Sequence, residues 1–341
     1  MSPRPRFSPR PEKVPLKLPP GKKLGSVIAV TRAPNGDLFL LHQPYAPGID
    51  YGDKRTTDGW LPDVVRLTSD GEYIDAWGGP DHIPAVDGIS QWPDGREGIE
   101  CDGDGNIWIF GYWSGDNAVL KFSADGKLLL RIGQREKAGG DDDTQLLDRP
   151  TSCYHDIKTR EVFVSDGYGN HRVIAFNADT GAFTRMWGAY GQKPSALSPK
   201  EGFGNPVHKV AVAPDGRMYV CDRIKNRIQE FELVSGGARY LREVTIAPGT
   251  PLFGAAFDLV FTRDGKYIYV ADGSNNRVWT VDREKLAVLG WISVDTADEG
   301  ESNLPRHYGG LLHRFAIEPS GDLLLACTTG GLQRLKYLGV H

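Results

Sequence analysis

The chain has 341 residues, with 40 Lys and Arg against 44 Asp and Glu and a formal net charge of -4, which leaves no basic footprint for a nucleic-acid partner. Its 42 Gly and 23 Pro are spread along the sequence among many aromatics, the composition of an all-β chain with frequent turns. No apolar run is long enough to span a membrane, and the Pro-, Arg- and Lys-rich residues 1–23 hold no signal-peptide core, so a soluble, cytoplasmic protein without a membrane partner is expected.

Residues 1–12 read as a flexible tail, because proline and charge dominate without periodicity. Val14 to Leu18 reads as a short strand. Four strands in a meander follow: Val27–Val30, Asp37–His42 after the turn Pro34-Asn35-Gly36, Val64–Leu67, and Tyr73–Trp77. The same grammar returns at Ile99–Cys101, Ile107–Phe110, Val119–Phe122 and Leu128–Gly133. A third copy covers Pro150 to Gly188, a fourth Pro206 to Ile246 and a fifth Phe257 to Ile292, and a sixth starts at His313 and has only three strands. Four strands repeating every 50 to 70 residues, roughly, are the signature of propeller blades. The expectation is therefore an all-β, six-bladed propeller of four-stranded antiparallel blades, one domain over residues 13–341. Its short last blade is completed by the N-terminal strand Val14–Leu18, since an open edge must be covered. The four cysteines each fall on or beside a strand without a C-x-x-C pair and read as buried thiols.

The clearest copy of the repeat is Val162-Phe163-Val164-Ser165-Asp166-Gly167-Tyr168-Gly169-Asn170-His171-Arg172. A strand, Pro-Asp-Gly, Tyr-Val-x-Asp, Asn-x-Arg and Trp-Gly recur over nearly the whole chain, a pattern that resembles the NHL-repeat propellers. Within those, the segment around Tyr168 is similar to the catalytic segment of the peptidyl-α-hydroxyglycine α-amidating lyases, zinc propellers that split a carbinolamide into an amide and glyoxylate. The resemblance implies a catalytic role for Tyr168 and for Arg223, which directly follows the turn Asp222. It also implies zinc ligands at His208 and His313, each the same interval before its turn glycine, Gly216 or Gly321. Three positions depart from the family: Glu97 stands at the third histidine, Gln43 at the second catalytic arginine, and Arg314 at a calcium-binding aspartate, so calcium is not expected there. A His-His-Glu set still suits a divalent ion, zinc above all, because imidazole nitrogen and carboxylate oxygen both ligate it and leave an open position.

Differences between the copies single out the same residues. The Asp/Asn/Arg turns at Asp166, Asp222 and Asp272 repeat, which makes them structural. Tyr168 has Ile224 and Ser274 as its counterparts, and Arg223 has Gly167 and Gly273, so neither is required by the turn. The loop with Arg306 and His307, just before the last repeat, is expected to contact substrate together with Gln43. His155 reads as an outer-face histidine, with a second metal or an acid/base pair with Asp156 as the alternative, and Asp141 to Asp143 reads as a solvated loop. The expected function is a metal-dependent, lyase-like enzyme acting on a small, carboxylate-bearing substrate in the central channel. A hydrolase or lactonase on the same scaffold, or a non-catalytic propeller that binds a protein partner, remain the alternatives.

Overall fold

The computed structural model describes residues 4–44, 59–195, 202–294, 311–328 and 330–340. The fold is all-β, a six-bladed β-propeller of four-stranded antiparallel blades; among the described residues the helical structure is one 3₁₀ turn, Ala189–Gly191. Blade 1 comprises Ser26–Arg32, Leu38–Gln43, Val64–Leu67 and Tyr73–Trp77, and blade 2 Arg96–Cys101, Ile107–Gly111, Ala118–Phe122 and Leu128–Gly133. Blade 3 comprises Pro150–Asp156, Glu161–Asp166, Arg172–Asn177 and Phe183–Trp187, and blade 4 Val207–Val212, Met218–Asp222, Arg227–Val234 and Gly237–Thr245. Blade 5 comprises Asp258–Phe261, Tyr267–Asp272, Arg277–Asp282 and Ala287–Ser293. Blade 6 has Leu312–Ile317, Leu323–Cys327 and Gly331–Leu335. The chain forms two compact units, one of Met1–Arg32, Gly36–Ala76 and Phe257–His341, the other of Ala33–Asn35 and Trp77–Ala256.

Within each unit the second strand of a blade is apolar on both faces, and period-2 alternation sends its side chains to two different cores. In blade 3, Val162 and Val164 pack with Trp108 and Phe110 of blade 2, whereas Phe163 between them packs with Val207 and Val220 of blade 4. In the other unit, Leu323 and Leu325 join Phe257 and Tyr269, and Leu324 and Ala326 join Leu38, Leu40 and Val65. Each such valine, leucine or phenylalanine side chain contributes about 1.5–3 kcal/mol by leaving water. The fourth strands cover only one face, and Ala287–Ser293 accordingly alternates between part-buried and exposed.

An N-terminal strand completes blade 6, but it is Glu12–Lys13, paired with Arg334 and Gln333, instead of Val14–Leu18. The ladder stops after Val14, whose N–H reaches Leu332 O at 3.0 Å, because Pro15 has no N–H to donate. Leu16 and Leu18 turn instead against the core of blade 1. Residues 5–7, expected within a flexible tail, form the strand Pro5–Phe7 paired with Tyr337–Val340. The reason is Phe7, whose buried ring lies 5.1 Å from Tyr269 and 5.8 Å from Tyr337. No disulfide joins the four cysteines, and burial, reinforced by Asp102 and Glu100, pushes the Cys101 thiol up to about 12.

Removing the Phe7 ring is expected to cost about 3 kcal/mol. Phe7→Ala should therefore melt several degrees below wild type by circular dichroism, and an unchanged melting temperature would show that this strand is not docked.

Candidate active site

The first strands of five blades carry one extra residue. Glu97 lies between the pairs Arg96–Gly111 and Gly98–Phe110, His208 between Val207–Asp222 and Lys209–Cys221, and His313 between Leu312–Cys327 and Arg314–Ala326. Ile28 and Thr151 occupy the same position in blades 1 and 3. A bulge bends the strand and re-aims the side chain of its extra residue. The interval of eight residues before Gly105, Gly216 and Gly321 is thus the sequence trace of a β-bulge, and at three of the five bulges the residue is a metal-ligating type.

Glu97 and His208 are brought together. Glu97 Oε1 lies 3.0 Å from His208 Nε2, and both side chains are almost wholly shielded from solvent. His313 belongs to the other unit, where its Nδ1 lies 3.0 Å from the carbonyl oxygen of Ile28. A carbonyl only accepts, so Nδ1 is the donor of this contact. Gln43, also in that unit, is buried at the end of its strand opposite Ser26. Arg306 and His307 lie outside the described residues. Arg314 is buried with Nη1 3.6 Å from Asp258 Oδ1, so a guanidinium supplies positive charge beside that carboxylate.

Tyr168 and Arg223 also meet. Arg223 Nη1 donates to the Tyr168 hydroxyl at 3.1 Å, and the guanidinium carbon lies 5.4 Å from the ring centroid. The Tyr168 ring packs edge-on against His208, centroids 6.2 Å apart, with Tyr112 at 5.8 Å on another side. Both placements depend on glycines. A Cβ on Gly167 would stand 2.0 Å from Val207 O, and one on Gly254 would stand 1.8 Å from Arg223 O. Only a residue without a side chain lets the tyrosine turn lie on the His208 strand and lets the 251–255 loop lie on the arginine.

The neighbouring turn carboxylates are structural, as their repetition implied. Asp166 accepts from Arg172 Nε at 2.9 Å and from Asn170 Nδ2 at 2.7 Å, and Arg172 also holds Asp141 O at 3.0 Å and Leu146 O at 2.8 Å. The Asp141–Asp143 loop is therefore tied down, with His171 N on Asp141 Oδ1 at 2.7 Å. Asp222 is held by Arg227 at 2.9 Å in the same manner.

Sequence reasoning missed Tyr112 and Asp116. Blade 2 ends its second strand in Gly111, where blades 3, 4 and 5 have the turn aspartate, and Asp116 Oδ2 lies 2.7 Å from where a Gly111 Cβ would stand. That carboxylate accepts the N–H groups of Asp94, Gly95 and Trp113 at 2.9, 2.8 and 3.1 Å, fixing the loop that leads into Glu97. Burial pushes it up to about 6 against the pull of those amides and Arg135. The displaced Asp, five residues late, was the available signal.

Together the repeated sheets and bulged strands define a six-bladed β-propeller, and its repeats resemble those of NHL-repeat proteins. The chain is 28% identical over 291 residues to human NHL repeat-containing protein 3, spanning 82% of this chain and 74% of that protein. It is 31% identical over 176 residues to mouse peptidyl-glycine alpha-amidating monooxygenase; that stretch spans 50% of this chain and 17% of the monooxygenase. No protein-family model matches. Among solved structures, a streptogramin B lyase superposes with TM-score 0.55 at 11% identity over 97% of this chain and 98% of that one. The periplasmic gluconolactonase of Pseudomonas aeruginosa does so with TM-score 0.51 at 17% identity over 92% and 88%. These two likenesses concern the fold alone. No helix among the described residues is long and apolar enough to cross a membrane.

Forcing a methyl group into the contact between Gly167 and Val207 should cost about 2 kcal/mol. Gly167→Ala is expected to lower the melting temperature and displace Tyr168; a variant that melts and binds ligands as wild type does would refute the close approach.

Proposed function

We propose that the chain is a lyase-like enzyme for a small substrate with a carboxylate beside a hydroxyl-bearing carbon. The observation that supports this reading is the contact between the Tyr168 hydroxyl and Arg223, next to the Glu97–His208 pair. The guanidinium suits a bidentate hold on a substrate carboxylate. Acting as the phenolate beside the Arg223 guanidinium, Tyr168 takes the proton of the substrate hydroxyl, the C–O bond becomes a carbonyl, the bond to the leaving atom breaks, and the proton passes to that atom, which restores the phenolate. Nothing is oxidised or reduced, and no co-substrate is required. Arg223 offsets the negative charge that gathers on oxygen as the proton leaves. The 31% identity to the amidating enzyme over half of the chain favours this chemistry.

The donor set suits a divalent ion, zinc by preference: a buried carboxylate oxygen and imidazole nitrogen 3.0 Å apart, with His313 the further donor that the sequence register predicts. Bound there, the ion would polarise a substrate oxygen. Protein purified without added metal is expected to contain zinc by elemental analysis, and His208→Ala should hold less of it than wild type; an undiminished zinc content in that variant would remove His208 from the assignment.

The test of the chemistry is a kinetic comparison of wild type, Tyr168→Phe and Arg223→Lys on an α-hydroxyglycine amide and on small hydroxy acids, amides and lactones. Tyr168→Phe should lower kcat about a hundredfold or more, and Arg223→Lys should mainly raise KM. The α-hydroxyglycine amide should be a poor substrate, because neutral Gln43 replaces an arginine whose charge is worth about a hundredfold in rate; efficient turnover of it would refute the role given to Gln43.

A second reading, a non-catalytic propeller that presents loops to a protein, is favoured by Leu252, 79% exposed beside the exposed Phe253. Absence of turnover on the whole panel, with Tyr168→Phe unchanged in ligand binding, would move the assignment there.

A further inference from the structure

At the far end of the strand Arg96–Cys101, a second group of ligand-type side chains converges. Asp102 and Asp104 come from the turn between Arg96–Cys101 and Ile107–Gly111 of blade 2, and His155 from the end of Pro150–Asp156 in blade 3. Glu97 and Asp102 are five residue steps apart along the strand, about 16 Å, so the two groups are distinct. One ligand atom from each of Asp102, Asp104 and His155 lies within 4.8 Å of the others.

Asp102 is rigidly held. Its Oδ1 accepts from Asp104 N at 2.9 Å, Asn106 N at 2.8 Å and Asn106 Nδ2 at 3.2 Å, and its Oδ2 from Trp108 Nε1 at 2.9 Å and Asn106 Nδ2 at 3.2 Å. His155, its side chain fully shielded, lies against the Trp108 ring with centroids 6.4 Å apart. Neither of its ring nitrogens has a hydrogen-bond partner among the described residues, although a buried polar atom left so costs about 1–3 kcal/mol. Its Nδ1 stands 3.5 Å from Asp102 Oδ2. That is long for an N–H···O bond, but two atoms bound to one tetrahedral ion at zinc distances lie about 3.4 Å apart. Burial, above all, holds His155 toward the neutral form that ligates metals.

We propose that Asp102, Asp104 and His155 form a second divalent-metal site, of zinc type, that clasps blade 2 to blade 3. Asp104 is exposed and is held by Arg160, which also holds Asp179 Oδ2 at 3.0 Å. Lys121 lies 4.0 Å from Asp179 and donates to Ala178 O at 2.9 Å. Arg160 is therefore the competitor for Asp104, and releasing an exposed ion pair costs little. Arg160 keeps Asp179 when Asp104 turns to the ion.

The full-length protein, stripped with EDTA and desalted, is titrated with Zn²⁺ by calorimetry, with elemental analysis after dialysis. Zinc retained by His208→Ala is the direct readout, because that variant lacks the first site. In that background His155→Gln and Asp104→Asn should weaken binding about tenfold or more, whereas Arg160→Ala should tighten it several-fold by removing the competitor. Asp104 is exposed, so Asp104→Asn reads the site even if His155→Gln fails to fold. In the wild-type background the same Asp104 and Arg160 effects are expected whether or not His208 binds metal. Zinc affinity unmoved by Asp104→Asn and by Arg160→Ala would overturn the proposal, as would the absence of any zinc dependent on His155.

Discussion

The second strand of each blade has no solvent face. Val162 and Val164 bury themselves against one neighbouring blade and Phe163 against the other, so a single sheet cannot satisfy its own apolar surface. Repetition is the physical answer, because each blade needs another on either side. Both units of the chain show the rule, with Leu323 and Leu325 on one core and Leu324 and Ala326 on the next. The N-terminal residues obey it as well. Phe7 leaves water by joining Tyr269 and Tyr337, and the strand around it forms as a consequence.

Such packing leaves little freedom inside a blade, and chemistry has to come from local exceptions to the ladder. The bulges at Glu97, His208 and His313 are one kind of exception, each turning one side chain out of the alternation. Glycine contacts are another. Gly167 and Gly254 permit backbone approaches that no Cβ would allow, and Tyr168 and Arg223 owe their meeting to them. The turn aspartates Asp166 and Asp222 serve the scaffold, bound by arginines of their own blades. Positions that break the repeat carry the candidate chemistry.

The same logic separates the two polar groups at the ends of the strand Arg96–Cys101. At its start Glu97 faces His208 in a shielded setting that depends on Asp116 for the approach of the loop. At its end Asp102 is oriented by its own turn, and His155 arrives from the neighbouring blade without a hydrogen bond among the described residues. A carboxylate that organises a turn and a histidine from the next blade form a joint between sheets, remote from the tyrosine and arginine.

Periodicity in the sequence determined the number of blades, their four-strand grammar and the need for an N-terminal strand in the last one, because burial on both faces writes apolar runs and turn residues at a fixed spacing. It also marked Tyr168 and Arg223, since these positions differ from their counterparts in sister blades, and Glu97 and His208 through a family resemblance and their common interval before a turn glycine. Tertiary structure alone decided which N-terminal residues pair, because Pro15 ends the ladder that the apolar pattern of Val14–Leu18 suggested. It alone revealed Asp116 as the substitute for a missing turn carboxylate and turned His155 from a surface histidine into a buried one beside Asp102. Those facts rest on distances between segments far apart in sequence, and a linear pattern records the period of a strand without recording which neighbour its ends will meet.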